Sequence, residues 1–219
     1  MTGLRMTGLR MTGLRRFARP EVAPPAADDG AQRCEMCGEA TGPRHGHVAD
    51  IEQRSILCTC RPCYLLFSTG SGRYRAIGER YLHDPAHPLT VAEWESLCIP
   101  VDSAFFLRSR AHGESADLAA FSPSPAGATQ CLLDLDAWAD LSTRHPLLAA
   151  AEPEVEAILV RCTGGAVDCF LVPVDTCYRL VGTVRLHWKG FDGGEARARL
   201  DEFFADVRAR ASVYEAEPR

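Results

Sequence analysis

Apolar residues recur every three to four positions over two long stretches near the C-terminus. Cys177, Leu180, Val181, Val184 and Trp188 form one stripe, with Asp175 as its cap after Pro173 and Gly190 as its stop. Ala196, Leu200, Phe203, Phe204, Val207 and Ala211 form the other, after Asp192-Gly193-Gly194, with arginines and acids on the remaining faces. Each stripe predicts an amphipathic helix. Upstream, Val155–Cys162 and Val167–Val174 flank Thr163-Gly164-Gly165-Ala166, and a Gly-Gly turn between two such runs predicts a β-hairpin. Centring the turn there pairs Arg161 with Asp168, Val160 with Cys169 and Leu159 with Phe170. Opposite charges then meet, which favours that register. Cys162 and Cys169 fall on one face with Ile158, Val160, Val167 and Leu171 and read as core thiols. Two helices folded back on a sheet make an α+β domain.

The middle of the chain is less periodic. Thr90-Val91-Ala92-Glu93 reads as a capping box opening a short helix through Leu97. Val101–Arg108 and Asp117–Phe121 read as antiparallel partners around a turn at His112-Gly113-Glu114-Ser115. Ser122–Thr129 is a stretch of small residues read as a loop, and Asp136 as the cap of a short helix carrying Trp138 and Leu141. Residues 68–80 are polar and arginine-rich, with Gly70 and Gly72 marking a loop, and Pro85 and Pro88 bracket another. Nearer the N-terminus, His47–Ile51 and Ser55–Cys60 are short strands joined by Glu52-Gln53-Arg54. A helix starts near Cys60, with Pro62 at an early position. Trp188 and Phe191, if exposed, would make a docking patch.

Residues 1–15 are MTGLR three times, a five-residue period that suits neither helix nor strand. The three methionines also fit an over-extended gene start. Residues 18–32 are rich in Pro, Ala and acid, as linkers are. The expected organisation is a disordered tail and linker over 1–32, a cysteine module over 33–67 and an α+β domain over 75–212.

Charge narrows the function classes. Residues 1–20 hold five arginines and no acid, leaving 19 basic against 29 acidic residues beyond them. Such an acidic body argues against binding along a phosphate backbone. Residues 31–75 hold six arginines and four acids, so a nucleic-acid-binding zinc-ribbon regulator is an alternative with thin support. No apolar run approaches the roughly 20 residues that span a bilayer, and no secretory signal is seen, so a cytoplasmic protein with reduced thiols is expected.

Five of the ten cysteines lie between Cys34 and Cys63. They form Cys34-Glu35-Met36-Cys37-Gly38 and Cys58-Thr59-Cys60-Arg61-Pro62-Cys63, with His45-Gly46-His47 between them. Paired CxxC segments are metal-ligand spacing, because a turn of that length brings two thiolates to one ion. Cys34, Cys37, Cys60 and Cys63 are the first ligand set, and Cys58 and His47 are the residues that could substitute in it. Zinc as a fold staple is the expected role, because the segment has few large apolar side chains. An iron site of rubredoxin type or an iron–sulfur cluster uses the same thiolates and would make an electron-transfer module. Knuckle, hairpin and helix start follow the order of a zinc ribbon or treble clef. No nucleophile elbow, phosphate loop or dinucleotide fingerprint occurs, and the expectation is a protein that is not an enzyme.

These cysteine segments, with Tyr64–Phe67, Ser122–Thr129, Leu171–Gly182 and His187–Gly194, resemble an uncharacterised actinobacterial domain of unknown function over about residues 33–212. Genes of that family are often found among those for nickel–iron hydrogenases. The resemblance implies an accessory role, with a hydrogenase subunit or maturation factor as partner. It implies no catalytic residues.

Overall fold

The computed structural model describes residues 32–69, 72–109, 117–188 and 194–216. Residues 1–31 of the tail and linker expected over 1–32, the turn at His112–Ser115, the helix stop at Gly190 and the aromatic Phe191 lie outside the described residues. Among the described residues, no helix is long and apolar enough to cross a membrane.

The C-terminal hairpin, β8 (Glu156–Thr163) and β9 (Ala166–Pro173), has the expected register, with Arg161 opposite Asp168 and Leu159 opposite Phe170. It sits at the centre of a seven-stranded mixed sheet. On one side come β4 (Leu82–His83) and, parallel to it, β10 (Ser212–Val213). On the other come β5 (Ser103–Ser109), β6 (Asp117–Ser124) and β7 (Gly127–Cys131). The loop expected over Ser122–Thr129 is instead the β6–β7 hairpin, paired from Ser124↔Gly127 to Ala120↔Cys131.

Side chains alternate along these strands, so each face of the sheet needs cover. Phe105, Leu159, Phe170 and Val172 pack against α5 (Val174–His187) and α6 (Gly194–Arg210), which contribute Cys177, Leu180, Phe203, Phe204 and Val207. Ala104, Phe106, Ile158, Val160 and Leu171 point the other way, toward α2 (Val91–Ser96), α3 (Leu135–Arg144) and α4 (Pro146–Ala149). There the Phe106 ring lies 4.3 Å from that of Trp138 and edge-on to Trp94. Cys169 packs on the same side, where burial pushes its thiol up to about 12 and keeps it inert. The result is an α+β body with a C-terminal helical pair. Trp188, at the end of α5, is 47% exposed.

Two caps differ from expectation. Asp134, not Asp136, caps α3, accepting from the amides of Asp136 and Ala137. Asp175 lies inside the first turn of α5 and does not cap it. At α2 the capping box is present: the Thr90 hydroxyl accepts from the Glu93 amide, and Glu93 accepts from the Thr90 amide. The other Glu93 oxygen takes Arg144 and His145 from the end of α3. Burial pushes the Glu93 carboxyl up, but the Thr90 amide and hydroxyl and His145 outweigh it and hold the group down at about 2, against an ordinary 4.5. A folded value below the unfolded one means stabilisation that is full above about 4.5 and lost as pH falls toward 2. Glu93→Gln is expected to cost about 1–2 kcal/mol in urea unfolding near neutral pH, and the gap to wild type to close near pH ~2.

Candidate metal centre

The cysteine segment is built on a second, three-stranded sheet in the order β2-β1-β3. Its strands are β1 (Gly46–Asp50), β2 (Ser55–Thr59) and β3 (Tyr74–Ile77). The expected hairpin around residues 52–54 is present. The third strand lies in the stretch read as a loop, and it carries the sheet past residue 67. Arg75 of β3 reaches Glu152, Glu154 and the Pro153 carbonyl of the body. Ala49 and Ile77 pack on Val155 and Val174. Arg73 binds the buried Asp50 carboxylate through Nε and Nη2 and holds that carboxyl below its ordinary range.

The two CxxC pairs flank the β1–β2 hairpin, one before β1 and one after β2, and meet at the end where Gly46 is opposite Thr59. Cys34 and Cys37 lie in a turn in which the Gly38 amide donates to the Cys34 carbonyl at 2.8 Å and the Cys34 amide to the Glu39 carbonyl. Gly38 has φ +77°, a left-handed conformation that side chains disfavour, as expected for a knuckle. Cys60 is the N-cap of α1 (Arg61–Leu66), with Pro62 in the first turn, and Cys63 lies one turn on. Gly46 allows α1 to sit down on β1: a Cβ there would lie 2.4 Å from the Tyr64 ring. The Tyr64 hydroxyl donates to the Ile77 carbonyl at 3.1 Å.

One donor atom from each of Cys34, Cys37, Cys60 and Cys63 lies within 4.8 Å of the others. The Cys37 and Cys60 sulfurs are 3.6 Å apart, too far for a disulfide bond of about 2.0 Å. Thiolates about 2.3 Å from one ion in tetrahedral array stand about 3.8 Å from one another, so the donor set fits a tetrahedral metal. Burial pushes the Cys34 thiol up, but the backbone amides of Cys60, Cys37 and Met36 outweigh it and bring it down to about 6. The sulfurs of Cys37 and Cys60 push Cys63 up to about 12. Thiolates crowded this closely repel one another, and a bound cation would compensate their charge. The cluster is capable of coordinating a metal ion, and its donors suit zinc and iron alike.

Cys58 and His47, the substitutes considered from sequence, fall into a different group. Across the β1–β2 ladder His47 is opposite Cys58, and with His45 they bring three donor atoms within 4.8 Å of one another. His47 Nδ1 donates to Asp175 of α5 at 2.6 Å, a contact across 128 positions of chain. The sequence signal for this group was the His45-Gly46-His47 spacing. Nothing in it pointed to Asp175.

A cavity of about 360 Å³ lies elsewhere, between the β1–β2 turn and strands β5–β7. Its carboxylates, Asp50 and Glu154, are already paired with Arg73 and Arg75.

A family model described as a family of unknown function (DUF5947) matches residues 33–211. The match takes in the cysteine module and the body together, and it agrees with the resemblance to a domain of unknown function. No curated protein and no solved structure matches the chain.

Proposed function

Starting from a chain that belongs to the family of unknown function DUF5947, we propose that it is a non-enzymatic accessory protein. In this reading a structural zinc ion held by Cys34, Cys37, Cys60 and Cys63 shapes a surface for a protein partner. The observation that carries the reading is the sulfur spacing, with Cys37 and Cys60 3.6 Å apart in a four-thiol cluster suited to one closed tetrahedral ion. The small module core supports a staple role. Of the β1 residues, Val48 and Ala49 are buried apolar groups, and α1 buries none of its own side chains. The partner, a subunit or maturation factor of a nickel–iron hydrogenase in an actinobacterial cytoplasm, is supported by the family resemblance alone.

Two measurements on full-length protein test this. Anaerobically purified protein is expected to be colourless with zinc at the four cysteines. Visible absorption with bound iron would replace the staple with an electron-transfer centre. Affinity capture from a native producer is expected to recover a hydrogenase component, and recovery of none would remove the assigned partner.

A further inference from the structure

We propose that His45, His47 and Cys58 form a second metal site, distinct from the four-cysteine cluster, that binds a late first-row divalent transition ion such as Zn²⁺ or Co²⁺. The strand register carries the geometry. His47 and Cys58 are cross-strand partners, and the His45 ring stands edge-on to that of His47 at 4.9 Å. One donor atom from each of the three lies within 4.8 Å of the other two.

Both rings are held by the same nitrogen. His45 Nδ1 donates to the Gly42 carbonyl at 3.2 Å, and His47 Nδ1 donates to the Asp175 carboxylate. An Nδ1–H so anchored leaves the Nε2 lone pair for an ion, the arrangement in which an outer carboxylate or carbonyl orients a metal-binding histidine. The His47–Asp175 bond by itself could be a tether between β1 and α5. It does not account for His45, whose Nε2 is buried and has no hydrogen-bond partner. A buried nitrogen left without a partner is costly, and a metal ion would satisfy it. Cys58 is fixed independently: Glu35 accepts from its amide through the carboxylate and donates to its carbonyl.

Two imidazoles and one thiolate suit zinc, cobalt, nickel or copper, and not calcium or magnesium. Three protein ligands leave a coordination position open. Both histidines line a cavity of about 220 Å³ that Tyr81, Asp175, Arg179 and Arg210 also border. Arg210 lies over the Tyr81 ring at 3.9 Å. The ion would therefore be reachable from solvent, unlike one enclosed by four thiolates.

The test is a Co²⁺ titration of full-length protein already holding one equivalent of zinc, followed by visible absorption and native mass spectrometry. A second ion is expected, with the bands of a nitrogen–sulfur site and thiolate charge transfer weaker than a four-thiolate site gives. His45→Ala and Cys58→Ser should each lower the count from two ions to one. Failure of the wild type to take up cobalt in excess, with its one ion kept in His45→Ala, overturns the proposal. So does a second ion indifferent to both substitutions, or loss of both ions in Cys58→Ser. Failure of the four-cysteine assignment has its own signature: a single ion, lost in His45→Ala and kept in Cys34→Ser.

Discussion

Replacing Cys34 by serine is expected to release the ion from the four-cysteine cluster and to unfold the three-stranded sheet while the seven-stranded sheet stays folded. Cys34 is 2% exposed, and its sulfur faces the amides of Cys60, Cys37 and Met36, so serine cannot offer an equivalent thiolate in that position. Structural zinc contributes about 10–16 kcal/mol of apparent binding free energy in peptides of zinc-finger size, far more than the burial of Val48 and Ala49 can replace. The body has two apolar layers of its own on either side of its sheet and does not depend on the ion. Limited trypsinolysis gives the readout. Arg44 and Arg54 are exposed in the folded module, and cleavage after them should accelerate in Cys34→Ser, while a fragment holding β5 to α6 persists. Unchanged protection together with an unchanged metal content would show that the ion does not hold this sheet together.

The parts of the fold that could be read from the sequence are those fixed by neighbours in the chain. The β8–β9 register follows from a two-residue turn and strict alternation, so it emerges correctly. The opposite charges that favour it take other partners. Arg161 pairs with Asp201 and lies over Phe204, and Asp168 pairs with Arg208, because α6 crosses that face and supplies closer partners. The β6–β7 hairpin was hidden by Pro123, Pro125 and small side chains, which have low strand propensity. Residues 122–124 pair with β7 alone, so Pro123 interrupts no ladder on the side of β5. β3 was hidden by its brevity and by Arg75, whose place in a strand makes sense only once Glu152 and Glu154 are brought across from the body.

The same division holds at the metal centre. CxxC spacing is local, and it named the four sulfurs that come together. Cys58 looked interchangeable with Cys60 because two residues on a strand share a face. The chain leaves the strand after Thr59, and Cys60 turns into the start of α1, so the two thiols go to different groups. Asp175 read as a helix cap because a carboxylate at the start of a helix usually is one. Its partner, His47, is brought to it only by the packing of Ala49 and Ile77 against Val155 and Val174.

That packing is reinforced by an ion pair whose loss should be felt through the whole body. Arg80→Met is expected to destabilise the protein by about 3 kcal/mol, the low end for breaking a buried pair by removing one partner. Glu156 opens the central strand β8, and its side chain is 7% exposed. Arg80 donates to both its oxygens, at 2.8 and 2.6 Å, and the Glu152 amide adds a third bond at 2.9 Å. Without the guanidinium, a carboxylate is left in a site with one hydrogen bond and little water. Arg80 is 47% exposed, so its own desolvation is small and the penalty falls on Glu156. The second substitution isolates this cause. Glu156→Gln removes the charge and keeps an acceptor for the Glu152 amide, so the Arg80→Met/Glu156→Gln pair should recover more than half of the loss in urea unfolding. If the double variant were as unstable as the sum of the two singles, the loss would instead come from the Arg80 contact with the Ala150 carbonyl and from its stem packing. Residues 78–81 run from the last strand of the cysteine sheet to β4 of the seven-stranded one, and Gly78, Glu79 and Tyr81 border the histidine-lined cavity. Holding Arg80 on Glu156 therefore fixes the segment through which the two sheets are joined.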